Sequence, residues 1–138
     1  MRSLVRTILR DLIAEALPNA TVLKFRKADP KGVSPLVMVC SGGSRRPRTT
    51  VKGSMPNHTI RVYSMVIHSD KEAGFTEEMA EDLIDSNEQA IGEVIDGNQK
   101  TVAWKRIEPA DESIVERVEI GGVLYLLEIM LFSVEELK

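Results

Sequence analysis

Apolar residues recur at helical spacing in two stretches of the chain and at strand spacing in six others. Leu4, Val5, Ile8, Leu9, Leu12, Ile13 and Ala16 form one stripe, which predicts a helix over 2–17. Ser3 is placed to cap it and Pro18-Asn19 to end it. Residues 21–26 alternate Leu23 and Phe25 with Lys24 and Arg26, the pattern of a half-buried strand, and a turn follows at 29–32. Residues 36–40 are apolar on both faces. The strand predicted over 58–68 carries Ile60, Val62 and Val66 on one face and Tyr63, Met65 and Ile67 on the other. A second helix is predicted over 76–96, with Met79, Leu83, Ile84, Ala90, Ile91, Val94 and Ile95 as its stripe. Thr76 is its expected N-cap, and Gly97 the expected left-handed residue at its end. Three strands close the chain, over 101–107, 113–120 and 123–133, the last two joined by a Gly121-Gly122 hairpin turn.

The order helix, three strands, helix, three strands predicts a single α+β domain over 1–138. The expected sheet is mostly antiparallel, has five to six strands, and carries both helices on one face. Residues 41–57 interrupt the pattern. Gly, Ser and Pro dominate there and no hydrophobic period survives, so a long loop or β-arm is predicted. The long third strand and the last hairpin are apolar on both sides. Two covered faces in so small a domain call for helices on both sides or for another subunit, which is the first argument for oligomerisation.

Composition narrows the function. A hydrophobic fraction of 43% supports a real core, and an aromatic fraction of 4% leaves aliphatic residues to fill it. The net charge of −3 argues against a chain built as a whole to hold nucleic acid. Cys40, the single cysteine, sits in an apolar run and reads as a core residue in a reducing, intracellular setting. The apolar run 123–132 is interrupted by Glu128 and is too short to span a membrane as a helix. The arginine-containing first helix has no cleavage site of a signal peptide.

Catalytic and cofactor chemistry finds no motif, so a non-enzyme without cofactor or metal is expected. His58 and His68 stand roughly 33 Å apart on one strand and cannot share a metal. Ser41-Gly42-Gly43-Ser44 lacks the spacing of a phosphate-binding loop, and no nucleophile elbow is present. Charge is distributed unevenly instead. No Lys or Arg interrupts the acids between Glu72 and Asp96; Glu77, Glu78, Glu81, Asp82, Asp85 and Glu88 read first as the solvated outer face of a helix, and second as an acidic face that docks on a basic neighbour. Between Asp29 and Asp70 no acid occurs, and Arg45, Arg46, Arg48 and Lys52 concentrate in the predicted loop. Three readings stand: a solvated loop with incidental charge, an arm on nucleic acid phosphates, or an arm of one subunit reaching the acidic helix of the next.

The layout resembles a known family. An amphipathic helix precedes Thr21-Val22-Leu23-Lys24-Phe25, then Pro35-Leu36-Val37-Met38-Val39, a long loop, Ile60-Arg61-Val62-Tyr63-Ser64-Met65-Val66-Ile67, an acidic helix, and a Gly-Gly hairpin ending in Leu124-Tyr125-Leu126-Leu127-Glu128-Ile129. This order is similar to that of the tail-terminator and tail-completion proteins of long-tailed bacteriophages, over nearly the whole chain. The resemblance implies a virion protein assembled in the host cytoplasm, with no membrane partner. It implies a homo-oligomer, a hexameric ring, seated on the tail tube protein and facing the head-tail connector or neck protein. Genomic DNA would pass through the lumen, where Arg45, Arg46, Arg48 and Lys52 would suit it if the loop faces inward. The related alternatives are a connector-completion protein and a small nucleic-acid-binding module.

Overall fold

The strand β6 (Val123–Glu136) organises the molecule, because three other strands pair with it. A computed structural model describes residues 1–45, 56–70 and 74–136. In chain order it contains α1 (Arg2–Ala16), β1 (Thr21–Leu23), β2 (Leu36–Arg45), β3 (Asn57–Ile67), α2 (Glu77–Gly97), β4 (Trp104–Pro109), β5 (Ile114–Ile120) and β6. The sheet order is β1-β2-β3-β6-β4, with β5 also on β6. One edge of β6 pairs with β3 along its length; the other is shared by β5 near its start and β4 near its end. Only β1 runs parallel to its neighbour, β2. The described residues form an α+β fold, with six strands in a mixed, mostly antiparallel curled sheet and two helices, as the residue pattern predicts.

Both helices pack on one face. Val5, Leu9 and Ile13 of α1 and Ile91 and Ile95 of α2 meet Val37, Val39, Ile60, Val62, Met130, Phe132 and Val134 of the sheet. A smaller cluster of Ala80, Ile84, Val66 and Leu126 continues beneath the start of α2. The other face holds Leu36, Met38, Cys40, Tyr63, Met65, Tyr125 and Leu127, with no helix over it. The sheet curls to cover this face itself. Val118 and Ile120 of β5 and Val33 of the 24–35 connection pack onto it. The two flaps meet: a Cβ on Gly121 would lie 2.9 Å from an Asp29 carboxylate oxygen, and the Gly32 amide donates to the Tyr125 hydroxyl at 2.8 Å. Arg26 stacks over the Tyr63 ring from the same connection. β3 and most of β6 therefore find cover within one chain, an outcome the choice between more helices and another subunit did not include, whereas β5 of the last hairpin leaves Ile114 and Val115 exposed.

Several boundaries move for identifiable reasons. β2 runs on through the glycine-rich stretch to Arg45, and β3 starts at Asn57, so the ends of the predicted 41–57 loop or β-arm are paired strand. A bulge between Ser41 and Gly43 absorbs the glycines. Thr59 approaches Gly42 so closely that a Cβ would stand 2.9 Å from its methyl group, and Gly43 has φ +111°. The β1 strand stops at Leu23, where the chain turns onto the second face and leaves Phe25 53% exposed. β4 begins only at Trp104; Thr101 Oγ1 accepts from the amides of Ala103 and Trp104, which makes 101–103 a turn. Ser3 is not a cap, since α1 starts at Arg2 with Met1 in the N-cap position and no side-chain cap. Thr76 caps α2 as expected, accepting from the Met79 amide. Gly97 stays helical, and Asn98 and Gln99 donate their side-chain amides to the Val94 and Ile95 carbonyls in place of a left-handed glycine. Met79 is half exposed, and Ala80 takes its expected place in the stripe. Among the described residues no helix is long and apolar enough to cross a membrane.

Candidate functional site

Charge separates across the sheet. Helix α1 lies over β1 and β2, whereas α2 lies over β3 and β6. Arg2, Arg6 and Arg10 of α1 on one face, Lys24, Arg26, Lys27 and Lys31 of the connection on the other, and Arg45 at the end of β2 therefore gather along the β1–β2 edge, where they outnumber Asp11, Glu15 and Asp29. The opposite side carries α2, on which Glu77, Glu78, Glu81, Asp82, Asp85 and Glu88 are all exposed and lie off the buried stripe. Arg46, Arg48 and Lys52 lie outside the described residues; Arg45 is the member of the predicted basic set within them.

The base of the basic segment holds a side-chain network that the residue pattern did not reveal. Ser44 Oγ lies 2.7 Å from His58 Nδ1, and His58 Nε2 lies 2.8 Å from a Glu136 oxygen. Arg2 donates to Ser44 Oγ at 2.9 Å, and the N-terminal ammonium binds the other oxygen of Glu136. A carboxylate only accepts, so the proton sits on Nε2 and the Ser44 hydroxyl donates to Nδ1 when the ring is neutral. A Ser-His-Glu series has the connectivity of an activated nucleophile. Here Arg2 already engages the hydroxyl and the ammonium engages the carboxylate, so the arrangement ties the N-terminus, β2, β3 and the end of β6 together. Finding it from sequence would have required the register that sets Ser44 beside His58 and His58 beside Val134.

His68 sits at the far end of β3, 6% exposed, with its Nε2 4.0 Å from a Glu77 oxygen and neither ring nitrogen hydrogen-bonded. A cleft of about 420 Å³ joins it to Glu77, Glu78, Glu81, Glu116 and Arg117. Among the described residues no three His, Cys, Asp or Glu side chains converge at metal-ligand spacing. Cys40 is buried; burial pushes its thiol pKa up, against the opposing pull of Arg26, Arg6 and Arg61, which leaves it a poor nucleophile.

A buried polar layer separates the two clusters under α2. Glu128 is 4% exposed, stands beside Ser64 in the register, and accepts from Ser113 Oγ at 2.6 Å. Burial pushes its carboxyl pKa up; Glu88 and Asp85 add to the rise, and the Ser113 bond opposes it. Ser64 Oγ and Asn87 Nδ2 are buried in this layer without hydrogen-bond partners. A raised folded-state pKa means that the native state holds the proton more tightly than the unfolded chain. Glu128 therefore favours folding most in acid, and that contribution is lost as pH rises through its raised pKa. Glu128→Gln keeps an acceptor for Ser113 and removes the charge. It is expected to stabilise the fold at pH 8 and to leave it unchanged at pH 4, as read by urea unfolding at both values.

Beside this layer lies a cleft of about 500 Å³ between the second half of α2 and the β4–β5 connection. Met130 and Phe132 give it an apolar floor, and Glu88, Asp96, Asp111 and Glu112 line it with carboxylates.

No protein family model matches this chain, and no curated protein matches it either.

Proposed function

We propose that the chain is a structural subunit that assembles head to tail with its own copies, in the manner of a phage tail terminator that closes as a ring on the end of a tail tube. The observation that carries this reading is the polarity of the domain. A β1–β2 edge on which the cations of α1, the 24–35 connection and the end of β2 outnumber Asp11, Glu15 and Asp29 stands opposite an anionic side built from α2. Opposite charge on opposite sides of one subunit favours heterologous contacts, which close into rings when the rotation allows. The order of elements and the size of the chain add support through the resemblance to tail-terminator and tail-completion proteins. In this role the ring stops growth of the tube and offers its free side to the head connector, with DNA passing through its centre.

The test adds purified protein to polymerising tail tubes of a long-tailed phage and measures tube length by electron microscopy. Capping predicts shortened tubes with the protein labelled at one end only. Tubes of unchanged length without label at either end would sink the proposal. Protein that binds duplex DNA at low salt, releases it steeply as salt rises, and ignores tubes would favour a nucleic-acid module instead.

A further inference from the structure

The acidic cleft between α2 and the β4–β5 connection has the chemistry of a socket for arginine. Its floor, Met130 and Phe132, is apolar, and both side chains are buried against the helix-side core. Its walls carry Glu88 and Asp96 from α2 and Asp111 and Glu112 from the connection, with no cation among the lining residues. Arginine fits such a place better than a small ion does. Its stem covers apolar surface while its planar head forms paired hydrogen bonds to carboxylates. The negative field is felt by a neighbouring group: Glu88 and Asp85 both push the Glu128 carboxyl toward its protonated form. Glu128 in turn is bonded to Ser113, which lines the cleft.

The chain carries a matching segment. Arg45 is exposed at the end of β2, and Arg46, Arg48 and Lys52 follow it in a stretch without acids. We propose that the basic segment beginning at Arg45 of one copy docks in the cleft lined by Glu88, Asp96, Asp111 and Glu112 of a second copy. This rests on the head-to-tail assembly reading and names the contact that would carry it. The two halves of the contact lie on the cationic and anionic sides of the domain, so one subunit offers both and each neighbour uses the complementary one. The contact is heterologous and repeats around a ring.

Charge reversal in trans tests it. One variant carries Arg45→Glu with Arg46→Glu; the other carries Asp111→Lys with Glu112→Lys. Asp111 and Glu112 are exposed, as is Arg45, so both variants are expected to fold, which circular dichroism checks. Sedimentation at low salt reads self-association. Each variant alone is expected to associate about tenfold or more weakly than the parent, because like charges then face each other. An equimolar mixture of the two is expected to recover the parent's association, since every contact in an alternating ring is again between opposite charges. Three results overturn the proposal: a parent chain that stays monomeric throughout, a cleft reversal without effect, or recovery only when all four substitutions share one chain. The last would place the contact within a single chain. Recovery in the mixture without capping of tail tubes would leave the contact standing and reject the terminator role alone.

Discussion

Trp104→Ala is expected to lower the free energy of unfolding by about 3–5 kcal/mol, the range for emptying a fully buried aromatic site. Trp104 is completely buried where α2 hands over to β4, within the cluster that joins both helices to the sheet. Its indole nitrogen also donates to the Asn98 carbonyl at 2.9 Å, next to the amides that end α2. One side chain thus fills the core and fixes the exit of the helix. Trp104→Phe keeps most of the volume and loses the hydrogen bond, so a smaller loss of about 1–2 kcal/mol is expected. Urea midpoints followed by far-ultraviolet circular dichroism check both, since the tryptophan signal itself is removed. A loss below about 1 kcal/mol for the alanine variant would mean that α2 and β4 are not held at this point.

Tyr125→Ala should cost a similar amount, about 3–5 kcal/mol, for a different reason. Tyr125 is fully buried on the helix-free face and holds the 24–35 connection down through the Gly32 amide. Tyr125→Phe isolates that bond, with an expected cost of about 1 kcal/mol for the donor it leaves without its partner. The alanine loss should appear in full at concentrations where the chain is monomeric, because the chain covers this face itself. A loss seen only in an assembled state would make the face a subunit interface instead.

Much of this architecture was legible in the residue pattern, and the failures share a cause. Helical spacing placed both helices within a residue or two, and Gly121-Gly122 marked a turn whose two residues both have positive φ. Apolar residues at odd and even positions of β3 correctly indicated two covered faces. What periodicity could not say was what covers them, because the answer lies in contacts between Asp29, Gly32, Gly121 and Tyr125 that are far apart in sequence. The glycines at 42 and 43 left a loop and a β-arm both open, because a bulge and a close cross-strand threonine use the same residue type as a loop. The acidic helix face was legible from charge alone. The cleft was not, since it needs α2 and the β4–β5 connection side by side. The Ser44-His58-Glu136 tie needed three strands in register.

Head-to-tail self-assembly is tested most directly by the mass of the concentrated protein in solution, with negative-stain images of the same sample. Six copies of a 15.4 kDa chain give a closed ring of about 92 kDa, the predicted particle. A two-fold dimer of about 31 kDa, closed on a single self-complementary patch, or a chain that remains at 15.4 kDa at every concentration, would contradict it.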